Sequence, residues 1–315
     1  MVLRGRPRWY KPDVGLSLRM LITMFLLGAI YVVFGAILFK IGYGYIAIPL
    51  ALIIGGVQLF FADKIALASM GAREVDEADA PQLHDMIGRL ALQANLPKPK
   101  IAIINSSIPN AFATGRNKDH AVVAVTTGIL NQLSEPELEA VIAHELTHII
   151  NRDMLVMTVA TFFSMVASLI VQTFFYSAMF GGYGYGRRRG NDNEGYAFII
   201  AFLASIVTYV LSFLLIRALS RYRELAADRG SALITGAPQN LAAALLHIDG
   251  ILHNPGARIP DQDFRRAQTV NALFIVPAIR GDSLTGLFST HPPTEERVER
   301  LRAMQRQMES AGYIS

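Results

Sequence analysis

Residues 144–148 read His-Glu-Leu-Thr-His. Two histidines four apart stand about one helical turn apart on one face, so both imidazoles can reach a single ion. Glu145, one residue on, points into the adjacent arc, where its carboxylate can take a proton from a water beside that ion. Two ligands and a base from one turn are the parts of a zinc hydrolytic centre, which takes three protein ligands and keeps an open fourth position. A longer pattern with Gly and a third His downstream is absent, because Asn151 and Met154 occupy those places. The 315 residues hold no Cys, which excludes thiol nucleophiles, disulfides and Cys-based zinc fingers. The missing ligand must then be another His, Asp or Glu.

The segment Arg221-Tyr-Arg-Glu-Leu-Ala-Ala-Asp228 supplies the candidate. Glu224 and Asp228 are four apart, so both can face the histidine helix, Glu224 as third ligand and Asp228 bonded to a ligand imidazole. Ala226 and Ala227 allow close helix packing. Taken alone, Glu224 reads as a surface partner of Arg221 at i,i+3. Like charges at i,i+4 nevertheless ask for a nearby cation, and His144 and His148 are one ligand short. One Zn2+ per chain is expected.

An apolar chain must position these groups. It is 52% hydrophobic and only 17% charged, with a mean hydropathy of +0.35, where soluble chains carry about a quarter charged residues. Four stretches lack Asp, Glu, Lys and Arg altogether: Met20 to Phe39, Ile41 to Ala62, Met154 to Gly186 and Gly195 to Ile216. Each can supply the roughly 20 helical residues that cross a bilayer. The first exceeds the apolar core of a signal peptide and lacks a small-residue cleavage site, so it reads as a retained span. Lys40 to Gly44 makes a tight hairpin between the first pair, and the Gly- and Arg-rich loop 181–195 joins the second pair.

Charge sets the expected orientation. Arg4, Arg6, Arg8, Lys11 and Arg19 face only Asp13 in the first nineteen residues, leaving the rest of a chain of net charge +4 about neutral. A basic arm before a span predicts a cytoplasmic N-terminus. Two spans return the chain to that side for 63–153, and two more do so for 218–315. Arg187, Arg188 and Arg189 run against this by falling in the outer loop, but the parity of spans still puts both polar regions on one side. With no Lys/Arg stripe interleaved with aromatics, the bilayer and not nucleic acid is the expected partner. The expected division is a basic arm (1–17), a transmembrane hairpin (18–62), a polar region (63–153), a second hairpin (154–217) and a second polar region (218–315).

Within the first polar region, Leu83, Met86, Ile87, Leu90 and Ala91 recur at helical spacing, predicting an amphipathic helix over 77–95. Ile101 to Ile104, Phe112 to Thr114 and Ala121 to Thr126 read as short strands, the last preceded by a turn at 115–119. Ser134 and Glu137 form a capping box, with Pro136 tolerated in the first turn. The helix started there is expected to run unbroken into the third span.

With these features in hand, the chain resembles the HtpX-type membrane zinc metalloproteases, more distantly related to the CAAX-prenyl endopeptidases. The likeness rests on His144-Glu-Leu-Thr-His148, Glu224-Leu-Ala-Ala-Asp228, Pro109-Asn-Ala-Phe-Ala-Thr-Gly115 and Ser289-Thr-His-Pro-Pro-Thr-Glu-Glu-Arg297, in that family's order of spans and motifs. The resemblance implies a mainly α-helical multi-pass membrane protein with a small α+β metalloprotease domain, the active-site helix beside a short antiparallel sheet. It implies a zinc endopeptidase of the cell membrane with cytoplasmic protease regions, cleaving membrane or membrane-proximal polypeptides. Misfolded membrane proteins are the implied substrates, with other membrane proteases as partners. By the same likeness, Asn110 and Ala111 lie on a strand edging the cleft, where an extended substrate can add, and His291 stabilises the oxyanion. Read from the residues alone, Asn110 is equally a turn residue after Pro109, and His291 equally an exposed turn histidine. His84, His120, His247 and His253 have no partner at ligand spacing and read as structural or surface residues. Two other classes remain as rivals: a metal transporter, disfavoured because the apolar stretches hold no ionisable group, and a non-catalytic scaffold, for which Glu145 would be superfluous.

Overall fold

The computed structural model describes residues 13–40, 42, 44–180, 192–253, 263, 275–276 and 291–312. The basic arm before residue 13 and the Arg-rich loop 181–191 lie outside them. The chain divides into two compact units: residues 18–60 with 156–219, and the polar segments 61–155 and 220–315 together with 1–17.

The apolar unit is built from α1 (Val14–Lys40), α2 (Gly44–Met70), α6 (Asp153–Phe180) and α7 (Asp192–Thr235). Among the described residues, three helices are long and apolar enough to cross a bilayer, at Val14–Lys40, Asp153–Gln172 and Ile199–Thr235. α2 bends by 51° between Leu52–Gln58 and Asp63–Met70, and the bent pair makes a fourth when it is counted as one span. Apolar side chains such as Phe25, Val32, Leu52 and Val207 stand exposed on these helices, as expected of surfaces whose solvent is lipid. Inside, Leu27, Tyr31, Ala160, Ile216 and Leu219 pack together, and the Tyr31 hydroxyl donates to the Ala160 carbonyl at 2.6 Å.

In the polar unit a four-stranded sheet is covered by helices. Its strands are β1 (Arg73–Glu74), β2 (Lys100–Ile104), β3 (Ala111–Thr114) and β4 (Val122–Thr126), in the order β1-β2-β4-β3. The sheet is mixed, which corrects the expectation of an antiparallel one: β2 and β4 run parallel, and β1/β2 and β3/β4 are antiparallel. The reason is a skipped slot. After β2 the chain reverses but lies one strand further out, and β4, antiparallel to β3, fills the gap parallel to β2. Gly115 makes the β3/β4 turn at φ +132°, where a Cβ would stand 2.4 Å from the His120 carbonyl oxygen, so only glycine fits.

Packed around the sheet are α3 (Pro81–Gln93), α4 (Thr127–Gln132), α5 (Glu135–Asn151), α8 (Pro238–Leu252) and α9 (Thr294–Ser310). The predicted amphipathic face of α3 is its buried face: Leu83, Met86, Ile87, Leu90 and Ala91. Ser134 and Glu137 close the capping box that starts α5. The expectation of an unbroken run from α5 into the third span is wrong by one residue. Arg152 adopts the left-handed conformation (φ 57°, ψ 40°), its N–H caps the carbonyls of His148 and Ile149, and α6 begins afresh at Asp153.

Candidate active site

The hydrophobic core fixes α5 so that its histidine face is inside the protein. Val141, Ile142, Ala143 and Leu146 are buried with His144, Glu145 and Thr147 around them. α7 approaches α5 closely because Gly230 has no side chain: a Cβ there would lie 2.2 Å from Thr147 Cγ2. Ser231 Oγ, next along, donates to the Ala140 carbonyl at 2.7 Å. This contact carries Glu224 and Asp228 to the histidines.

His144, His148 and Glu224 each offer one ligand atom within 4.8 Å of the others. The two Nε2 atoms are 3.1 Å apart, His144 Nε2 is 3.6 Å from Glu224 Oε2, and His148 Nε2 is 3.4 Å from Glu224 Oε1. Each Nδ1 meets a carboxylate instead: His144 with Asp228 Oδ1 at 3.0 Å, and His148 with Asp153 Oδ2 at 2.5 Å. An imidazole whose Nδ1–H is held by a carboxylate presents a lone pair at Nε2. Two such nitrogens 3.1 Å apart, beside a third anionic donor, are held together by a proton or a cation among them. Tetrahedral zinc with bonds of about 2.0–2.2 Å sets its ligand atoms roughly 3.3–3.6 Å apart, so the donor spacing and the nitrogen–nitrogen–oxygen chemistry fit a zinc ion.

The electrostatics agree. Burial draws the His144 pKa down, but Asp228 and Glu224 outweigh it and push it up to about 9; the negative charge that favours a proton there favours a cation. Burial pushes the Glu145 carboxyl up against the pull of His148 and His144. A carboxyl whose proton affinity is raised by burial is suited to a general base. Its Oε2 accepts from the Ala113 N–H at 2.9 Å, so β3 holds the base in place.

Among the other residues picked out from sequence, His291 is brought to the cluster, with Nδ1 3.4 Å from Glu224 Oε2, and is buried. Asn110 is not at an open cleft. It is fully buried, and its Oδ1 accepts from the Ile275 N–H at 3.1 Å. Ala111 opens β3, which ends the strand order among the described residues. The four remaining histidines lie away from the ligands: His84 meets the Val75 carbonyl, His120 Asn117, His247 Glu137 and His253 Asp249.

Three supporting residues escaped sequence reasoning. Arg297, fully buried on α9, forks onto both oxygens of Asp228 at 2.9 and 2.6 Å and donates to the Ile275 carbonyl at 2.6 Å. Burial opposes its charge, but Asp228 and Glu224 raise its pKa. Arg223 pairs with Asp153 and donates to the Asn151 carbonyl at 3.1 Å. Asp153 itself is hidden by helical periodicity, because an unbroken helix would carry it about 140° away from His148.

Residues 77–305 match peptidase family M48. The chain belongs to that family. Two relatives each described as a protease HtpX homolog span it almost completely. The Moorella thermoacetica protein is 52% identical over 298 residues, covering 94% of this chain and 97% of its own length. "Protease HtpX homolog 2" of Methanosarcina mazei is 52% identical over 304 residues, covering 96% and 99%. Ste24p of S. mikatae superposes with a TM-score of 0.52 at 20% identity, over 92% of this chain and 66% of that one, a likeness of fold. This M48 peptidase is a membrane-bound metalloprotease that hydrolyses peptide bonds, and zinc is its metal.

Proposed function

We propose that His144, His148 and Glu224 hold the zinc ion of this M48 endopeptidase and that Glu145 is its general base. The observation that carries the reading is the convergence of those three donors within 4.8 Å beside a buried carboxylate anchored to an edge strand. Zinc, when bound, supplies Lewis acidity toward water and the scissile carbonyl. Glu145 takes a proton from the attacking water and returns it to the leaving nitrogen. His291 donates to the oxygen on which negative charge develops. Asp228, locked by Arg297, holds His144 in the tautomer that presents Nε2.

The substrate lies along β3. Ala113 turns its N–H away from β4, and residues two apart share an edge, so Ala111 faces the same way. An extended polypeptide added there runs past Glu145. Asn110 acts indirectly, by tethering residue 275.

Membrane or membrane-proximal polypeptides, misfolded membrane proteins above all, are the proposed substrates, in quality control beside other membrane proteases. In support, His148 stands six residues before Met154, which opens an apolar stretch. Six residues reach at most about 20 Å even when fully extended. The basic arm favours a cell-membrane topology with the protease regions cytoplasmic.

The test is a peptidase assay on detergent-purified protein after chelation and graded zinc return. Glu145→Gln is expected to keep zinc and lose roughly 10²- to 10⁴-fold in turnover, and normal proteolysis by it overturns the assignment. Glu224→Ala is expected to lose zinc; affinity equal to wild type removes Glu224 as ligand. Because the chain has no Cys, single cysteines introduced at Glu135 and Glu295 report their membrane side by labelling, and labelling from outside overturns the orientation.

A further inference from the structure

We propose that Asp153 is the positioning residue for the second zinc ligand, His148, resting on the ligand assignment above. Its carboxylate is buried, meets His148 Nδ1 at 2.5 Å through Oδ2, and is paired through Oδ1 with the buried guanidinium of Arg223. Both oxygens are thereby taken up, one directing an imidazole and the other fixed by a cation that also ties Asn151.

The backbone is shaped to make this contact. Asp153 follows His148 by five residues, which in a continuous helix points the two side chains about 140° apart. The left-handed Arg152 interrupts the helix between them, and the restart swings Asp153 back over the imidazole. A non-glycine residue in that conformation is a cost tolerated where the surroundings demand it. His148 thus has the counterpart of what His144 has: a carboxylate on Nδ1 and an arginine on the carboxylate, His148–Asp153–Arg223 beside His144–Asp228–Arg297. Asp153 fixes the His148 tautomer and ring plane, so that Nε2 faces His144 Nε2 and Glu224 Oε1 without rearrangement when zinc binds.

The experiment is zinc affinity of the full-length, detergent-purified chain by chelator competition, with the visible spectrum of the cobalt-loaded protein as a geometric readout. Asp153→Ala is expected to weaken zinc by about 10- to 100-fold and to shift the cobalt bands; Asp153→Asn, which keeps an acceptor but not the charge, is expected to fall between, about fivefold weaker. Ser134→Ala, which removes the cap at the far end of α5 from the ligands, is expected to lower thermal stability and leave zinc affinity unchanged. Either Asp153 variant binding zinc within twofold of wild type overturns the proposal, and Asp153→Asn alone decides if Asp153→Ala does not fold. His144→Ala run in parallel separates the two failures: if it too binds zinc normally, the ligand assignment falls, and if it loses zinc while the Asp153 variants do not, only the role of Asp153 falls.

Discussion

Ala113 donates its backbone N–H to Glu145 Oε2 at 2.9 Å, so the proposed base is oriented by the strand that the substrate is proposed to join. Removing this donor tests the coupling, and proline removes it without touching the ladder, since this N–H points away from β4. Ala113→Pro is expected to lower kcat through a lost bond to a charged acceptor worth about 1.5–3 kcal/mol, or roughly ten- to a hundredfold. Zinc content should hold. Peptidase kinetics beside metal analysis check both.

Arg297 neutralises two carboxylates in the interior, Asp228 by a fork and Glu224 at 3.5 Å. Breaking such a buried pair from one side leaves an uncompensated charge and costs about 3–5 kcal/mol. Arg297→Met is expected to lower the denaturation midpoint accordingly. Arg297→Lys should recover little, because an ammonium cannot reproduce the planar fork. Denaturant unfolding of the variants reads the difference.

Gly230 sets the distance between α5 and α7. Gly230→Ala puts a methyl 2.2 Å from Thr147 Cγ2 and 2.4 Å from Thr147 Oγ1. Overpacking of this kind costs about 1–3 kcal/mol and should displace Glu224, weakening zinc as well as stability. Pairing it with Thr147→Ala removes the two nearest clashing atoms and should recover part of both losses, seen as a positive coupling in a double-mutant cycle.

The start of α5 carries a pH dependence of known sign. Burial raises the Glu137 pKa, but bonds from Ser134 Oγ and N and the charge of His247 outweigh it, so the folded value lies below the ordinary 4.5. A carboxylate so depressed adds stability above pH 4.5, and that contribution fades as pH falls through the folded value. Glu137→Gln is expected to flatten the fall in melting temperature below that pH. Ser134→Ala should cost about 1 kcal/mol at neutral pH. Melting curves between pH 7 and pH 3.5 measure the slope.

The histidine pair and Glu145 were readable in sequence because one helical turn contains all three, and periodicity is a local property. Glu224 stands out as the candidate third ligand by arithmetic: two ligands on a chain without cysteine need a third, and a carboxylate pair at i,i+4 favours a cation. Composition alone marked the apolar spans, since twenty residues without charge are ill-suited to anything but a bilayer. The strand segments and the capping box at Ser134 were likewise written in neighbouring residues.

What required the tertiary structure is every relation in which periodicity is broken or distance along the chain is large. Asp153 reaches His148 only because Arg152 leaves the helix. Arg297 meets Asp228 across 69 positions, and neither residue's type announces the other. The order of the strands, with β4 between β2 and β3, depends on how a loop crosses the sheet. Asn110 is suited by type to a cleft, yet packing buries it against residue 275. Local spacing selects which side chains can share a face, but burial decides which faces meet, because it is the summed loss of apolar surface over the whole chain that chooses among the arrangements local geometry allows.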